Sequence, residues 1–360
     1  MPNSEDHAQK DAYRTAVSPS NRPPFGRRRE RKLYCFAFPV NASPPPILVS
    51  FASVDALLDA LPDQTRVECE QEIRRLVASG LAPATSTITV STLFGVSSEF
   101  IGAMSRAPQR YYRRFTIRKG KKSRQIFAPK IALKLVQRWI GAHLARATSF
   151  PEYVYGFVPG RSGVIEAAQS HCGAQWVYSL DLRDFFPSID SSRVIAALIA
   201  RGYSHRAARL ITRLCCLDGR LPQGSPASPV LSNLVFLEAD KSLELIATAA
   251  GVRYSRYADD LVFSGQGDIP VDLVSKVKDV LSEHRWEIAP EKEHLAALPA
   301  RLKVHGLLVN GEKPRLTKGY RNRIRAFRYL VASERVAEQD VSRINGHISY
   351  ADHVEKARNR

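Results

Sequence analysis

The chain has little cysteine, no long apolar run and no acidic excess, and each shortage narrows what it can be. Its five cysteines, Cys35, Cys69, Cys172, Cys215 and Cys216, contain no Cys-x-x-Cys pair, so neither a zinc site nor a disulfide framework is expected. No uninterrupted apolar stretch approaches the roughly 20 residues that cross a bilayer, and no secretory apolar segment follows the polar N-terminus. A reduced, cytoplasmic protein with no membrane partner is the expectation. Internal repeats and long low-complexity tracts are also missing.

What is present is a large apolar fraction and a strong positive balance. Apolar residues make up 44% of 360 positions, ample for a folded core. Against 35 Asp and Glu stand 53 Lys and Arg, a formal charge of +18. Such a balance suits a polyanion, and nucleic acid is the leading candidate.

Along the chain, residues 1–32 are polar and end in Gly26-Arg-Arg-Arg-Glu-Arg-Lys32, which reads as a basic flexible tail. Apolar spacing through Val54, Leu57, Leu58 and Leu61, then Cys69, Ile73 and Val77, predicts a small helical region over 33–110, its second helix stopping near Gly80. Tyr111 to Ala128 predicts a β-hairpin with cationic residues Lys119, Lys121, Lys122 and Arg124 at its tip. The helix after it is expected to present Lys134, Gln137 and Arg138 beside its apolar face. Strands and helices alternate to about residue 310. Residues 301–360 hold 14 Lys and Arg against 6 Asp and Glu and read as a compact basic helical module.

The sharpest chemical signal is Tyr254-Ser-Arg-Tyr257-Ala-Asp259-Asp260-Leu-Val-Phe263, two adjacent carboxylates between strand-forming residues. Asp181, in Val177-Tyr-Ser-Leu-Asp181-Leu-Arg-Asp184-Phe-Phe-Pro187, also follows a strand signal. Two strand ends can bring three carboxylates together, and such hard oxygen donors suit Mg²⁺. A pair of these ions clamps an in-line phosphoryl displacement.

Tyr257-Ala-Asp-Asp260 fits the Tyr-x-Asp-Asp tetrad of reverse transcriptases. Ser179 to Asp190 resembles their first catalytic motif, and Leu221-Pro-Gln-Gly-Ser-Pro-Ala-Ser-Pro-Val-Leu-Ser-Asn233 resembles their Pro-Gln-Gly motif, in the family's order. The resemblance covers roughly residues 92–330 and implies an α+β right hand: fingers and an antiparallel-sheet palm over 111–310, and a short helical thumb over 311–360. It implies an RNA-directed DNA polymerase using two Mg²⁺ ions, with Mn²⁺ as a substitute. Asp181 and Asp259 bridge the ions in this reading, with Leu182 and Asp260 in the metal site; Asp184 and Asp190 are structural or capping. Lys119 and Arg124 grip the triphosphate of a dNTP, Phe186 excludes a 2′-hydroxyl, Gln223 and Gly224 approach the incoming nucleotide, and Lys292 protonates pyrophosphate.

Tyr155-Gly-Phe-Val-Pro-Gly-Arg-Ser162 resembles a segment shared by bacterial enzymes of this family, and two further signatures resemble the retron group. Ala167-Ala-Gln-Ser-His171 matches the retron Asn-Ala-x-x-His with Ala167 in place of asparagine. Val304-His-Gly306 matches Val-Thr-Gly with His305 in place of threonine. The retron resemblance implies a cognate structured noncoding RNA as template and primer. It also implies an RNA–DNA hybrid product, branched multicopy DNA primed from an internal guanosine 2′-hydroxyl, and antiphage defence with an effector protein. His171, Val304, His305, Gly306, Arg321 and Arg325 are the expected RNA contacts. Two alternatives stand beside it: another bacterial reverse transcriptase, of diversity-generating, group II intron-like or abortive-infection type, and a catalytically inactive RNA-binding module of the same fold.

Overall fold

The computed structural model describes residues 51–119, 122–161 and 163–359. The basic tail, both proline clusters and Lys121 lie outside these residues. Helices α1 (Val54–Asp59), α2 (Asp63–Ala78), α3 (Thr87–Phe94) and α4 (Ser98–Arg106) come first. Three starts have a local cause: the Ser53, Ser86 and Ser97 hydroxyls accept from the amides of Ala56, Thr89 and Phe100. Helix α2 stops at Ser79, beside Gly80.

Strands β1 (Tyr112–Lys119) and β2 (Lys122–Pro129) pair antiparallel as a hairpin, and α5 (Ile131–Ala147) follows. Gln137 departs from expectation, because it is fully buried rather than displayed. Its Nε2 donates to Tyr112 Oη and to the Leu214 carbonyl, both at 2.7 Å, and its Oε1 accepts from Ser225 Oγ at 2.8 Å. A side-chain amide can meet donors and acceptors from three elements at once, which makes it a junction inside an apolar core.

Next come α6 (Val164–Gln169), β3 (Trp176–Asp181), α7 (Phe185–Ser188), α8 (Ser191–Ala200), α9 (His205–Cys215) and α10 (Ser228–Ala249). Then follow β4 (Arg253–Tyr257), β5 (Asp260–Gly265), α11 (Leu273–Glu283) and β6 (His294–Ala297). The central sheet runs β4-β5-β3-β6, with every neighbour antiparallel. Side chains alternate across it: Tyr178, Leu180, Leu261 and Phe263 join a core with α5, α8, α9, α10 and α11. Val177 and Val262 join a second core on the other face. That face is covered by α6, by a small sheet of β7 (Lys303–Val304), β8 (Leu307–Leu308) and β9 (Arg315–Leu316), and by α12 (Lys318–Ala332) and α13 (Glu338–Asn359). The result is an α+β architecture with an antiparallel central sheet. Among the described residues no single helix is long and apolar enough to cross a membrane.

A buried ion pair ties α10 to β4. Arg256 Nη2 meets Asp240 Oδ2 at 2.6 Å and Nε meets Oδ1 at 2.8 Å, and neither side chain has exposed surface. Tyr254 Oη also donates to Asp240 Oδ1, and Arg256 Nη1 to Asn233 Oδ1. Satisfied on every side, the pair is secure; broken, it strands a guanidinium in the core. Asp240→Ala is expected to lower the unfolding free energy by about 3–5 kcal/mol, read as a fall in the urea midpoint at unchanged slope. A midpoint within error of wild type would refute this.

Candidate active site

The strand β4 ends at Tyr257 and β5 begins at Asp260, with Tyr257 and Asp260 opposite each other, so Ala258 and Asp259 form a two-residue hairpin turn. Ala258 has φ +59, a left-handed conformation that costs a residue with a Cβ roughly 1–2 kcal/mol. Several contacts hold it. Arg256 Nη1 donates to the Ala258 carbonyl at 3.1 Å, and the Leu182 amide donates to the Asp259 carbonyl at 2.9 Å. The segment around Val154 runs parallel to β4, with Tyr155 N on Arg256 O and Arg256 N on Tyr153 O, both at 2.8 Å. This sets Gly156 against the turn, and Asn233 Nδ2 donates to the Gly156 carbonyl. A Cβ on Gly156 would stand 2.4 Å from Ala258 N. Only glycine allows that approach.

Asp181 closes β3 directly opposite Asp260. Three carboxylates thus gather where β3 and the β4–β5 turn meet. Burial pushes the Asp181 carboxyl above its usual range, and the charges of Asp259 and Asp260 push the same way; Lys292 opposes them. Lys292 Nζ is ion-paired to Asp181 Oδ1. Asp260 has a partner on its other side: His305 Nδ1 lies 2.9 Å from Asp260 Oδ2. Its Nε2 is buried without a hydrogen-bond partner, which fits a proton carried on Nδ1 and donated to the carboxylate. The three acids are hard oxygen donors and match a divalent ion such as Mg²⁺ in kind. Among the described residues no three His, Cys, Asp or Glu side chains are already gathered as a metal cage. Leu182 is buried, so its carbonyl is all it has to offer an ion.

Around the acids, Phe186 is half-buried against Phe185 and Phe157, with ring centroids 5.5 and 6.2 Å away, and Phe157 in turn meets the Tyr257 ring at 6.3 Å. Gln223 and Gly224 lie against the hairpin. The Phe127 amide donates to the Gln223 carbonyl at 2.8 Å, and a Cβ on Gly224, whose φ is +127, would come 2.7 Å from Phe127 O. Arg124 is exposed on β2, three residues nearer the hairpin tip than Phe127. Lys119 ends β1. Asp190 caps α8 through the Arg193 amide at 3.0 Å, while Asp184 sits at φ +43 with no capping bond.

The expected RNA contacts separate. His171 is fully buried, with Nδ1 2.7 Å from Ser264 Oγ and Nε2 2.6 Å from Ser255 Oγ. Burial, reinforced by Arg253, pushes its pKa down to about 3, so it is a neutral brace across β4 and β5 with no surface for RNA. Val304 is buried in the second core and is likewise no surface contact. His305, in the left-handed region at φ +48, turns inward to Asp260 instead of outward. Gly306, Arg321 and Arg325 are exposed, the two arginines lining a cavity of about 300 Å³ with Arg315 and Arg328.

Several residues that shape the site carry no sign of that role in the sequence. Gly156 and Phe157 stood inside a quoted motif without a role, and Asn233 closed another. Asp240 carried no local signal, since a single acid in a helix looks like surface. Arg256, between two residues of the tetrad strand, was hidden for the same reason.

The reverse transcriptase (RNA-dependent DNA polymerase) family matches residues 117–330, more than half of the chain. Retron Ec86 reverse transcriptase of Escherichia coli is 29% identical over 256 residues, 69% of this chain and 78% of that protein. Retron Mx65 reverse transcriptase of Myxococcus xanthus is 31% identical over 318 residues, 82% of this chain and 72% of that one. A solved apo telomerase from Candida tropicalis aligns at TM-score 0.41 and 12% identity, covering 62% of this chain and 61% of that one. The likeness runs through both strand ends that carry the acids and the loop that docks on the hairpin, and by it the chain belongs to the reverse transcriptases, of the bacterial retron type, and is an RNA-directed DNA polymerase.

Proposed function

We propose that this polymerase copies part of a cognate structured noncoding RNA into branched, RNA-linked multicopy single-stranded DNA, and that it serves antiphage defence with an effector protein from its locus. The observation that carries the reading is the 31% identity to a retron enzyme over 82% of the chain. Its intact acids, Asp181, Asp259 and Asp260, are what an active enzyme requires.

Asp181, Asp259 and Asp260 would hold Mg²⁺, or Mn²⁺ in its place, and the bound ions would supply charge stabilisation for phosphoryl transfer. The chain's own groups do the rest. Phe186, braced by Phe157, blocks a 2′-hydroxyl and selects dNTPs. Gln223 and Gly224 approach the nucleotide from a loop anchored on Phe127, in the hairpin whose Lys119 and Arg124 grip the triphosphate. Lys292, ion-paired to Asp181, gives a proton to the leaving pyrophosphate in this reading. His305 orients Asp260. His305→Ala is expected to slow single-turnover primer extension about tenfold. His305→Asn retains most of the rate, since asparagine tolerates left-handed backbone and offers an N–H at similar reach. Equal rates for both variants would remove His305 from this role.

The reading is tested by purifying the protein from its native locus, extracting the bound nucleic acid and assaying for RNA-linked DNA beside an Asp259→Asn, Asp260→Asn control. DNA seen only with intact acids, and reduced to a branched remnant by RNase, supports it. Extension of an annealed primer on RNA without any linked DNA leaves the polymerase standing and refutes the retron product.

A further inference from the structure

An arginine ridge runs along α9 on the side opposite its packed face. Ala207, Ile211 and Leu214 are fully buried, whereas Arg206, Arg209 and Arg213 are exposed. Arg206 is paired with Glu68 at 2.7 Å. Arg209 and Arg213 have no ion pair among the described residues. The ridge borders two cavities of about 400 Å³ each, which share Ser105, Arg209 and Arg213 and so form one groove.

At one end its wall is Thr85 to Thr87, where α3 begins, and His205, where α9 begins. Neither helix has an acidic residue in its first turn; the positive end of α3 adds to the arginine charge, whereas that of α9 is met by a carboxylate from α2. Glu72 caps the start of α9, accepting from the Ser204 amide and hydroxyl at 2.7 and 2.9 Å. At the other end lie Ser191, Asp218 and Thr212. Thr212 is 3% exposed, and its Oγ1 has no hydrogen-bond partner. Asp218 is the one carboxylate lining the groove.

We infer that this groove docks the phosphate backbone of a structured RNA segment outside the part being copied. The inference rests on the retron reading for its partner. Unpaired guanidinium groups on a rigid helix are suited to phosphate oxygens, and the unpartnered Thr212 Oγ1 adds one further hydrogen-bonding group. From Arg206 to Arg213 the ridge extends about 10 Å along the helix axis. That length suits a run of phosphates better than a single anion. Recognition of this kind reads RNA by shape and backbone rather than by base.

Counterion release gives a quantitative test, because each arginine–phosphate contact adds about 0.7–0.9 to the slope of log affinity against log salt. The probes are a structured hairpin RNA from the native locus and a short RNA–DNA hybrid that occupies only the catalytic cleft. The double variant Arg209→Gln, Arg213→Gln is expected to lower the hairpin slope by roughly 1.4–1.8 and leave the hybrid slope unchanged, with the melting temperature as the check on folding. Arg209→Lys, Arg213→Lys is expected to keep the slope. An unchanged hairpin slope overturns the inference and leaves the groove to some other acidic partner, and an equal loss on both probes overturns its placement outside the cleft. Wild type that shows no salt-dependent affinity for the hairpin overturns the retron reading itself.

Discussion

Asp259→Asn is expected to abolish primer extension, a loss of about a thousandfold or more, with no loss of folding stability. The substitution keeps the side chain's volume and removes its charge, so the proposed cation site would lose a donor without losing packing. Asp259 lies in the turn between β4 and β5, and its main-chain carbonyl, not its carboxylate, accepts from the Leu182 amide. The turn therefore survives the change. Burial and the neighbouring acids already push the Asp181 carboxyl up, so removing one negative charge relieves repulsion, and the melting temperature should hold or rise slightly. The paired measurement is single-turnover extension on an RNA template and thermal melting of the same preparation. Extension within tenfold of wild type would remove Asp259 from the catalytic set, and a collapse in melting temperature would make the loss uninformative about chemistry.

Gly156→Ala is expected to reduce extension about a hundredfold although Gly156 bears no functional group. Its new Cβ would lie 2.4 Å from Ala258 N and 3.0 Å from the Tyr257 carbonyl carbon. Both are backbone atoms at the β4–β5 turn. The turn cannot yield freely, because Arg256, itself locked to Asp240 and Asn233, holds the Ala258 carbonyl from one side and Leu182 holds Asp259 from the other. A displacement near 1 Å at reacting groups costs about a hundredfold in rate, and the overpacking costs about 1–3 kcal/mol of stability. Reduced extension with a cooperative, modestly shifted unfolding transition is the expected pair of results. A wild-type rate would show that the loop 153–156, rather than the turn, gives way.

Both predictions concern the same few residues, yet those residues were unequally visible before folding. The strands at Val177 to Asp181 and Tyr254 to Phe263 rest on β-branched and aromatic residues, a preference expressed within a few positions. The first two helices announced themselves equally plainly, through apolar spacing. Gln137 did not: a glutamine next to Arg138 on an amphipathic helix reads as surface, and its burial depends on partners in β1, α9 and the loop before α10. His171 and Val304 misled in the same way. A motif told where they stand in the chain but not which side of the sheet they face.

By itself the sequence determined the order of the catalytic motifs, the strands that end in acids, the cationic hairpin and the basic C-terminal helices, because each is written in local residue preference and spacing. It took the folded chain to set Asp260 opposite Asp181, to turn His305 onto Asp260 and Lys292 onto Asp181, and to bring Gly156 against the Ala258 amide. Those relations are set by strand register and by burial between distant segments, and long-range pairing of this kind has no signature in any short window of the chain.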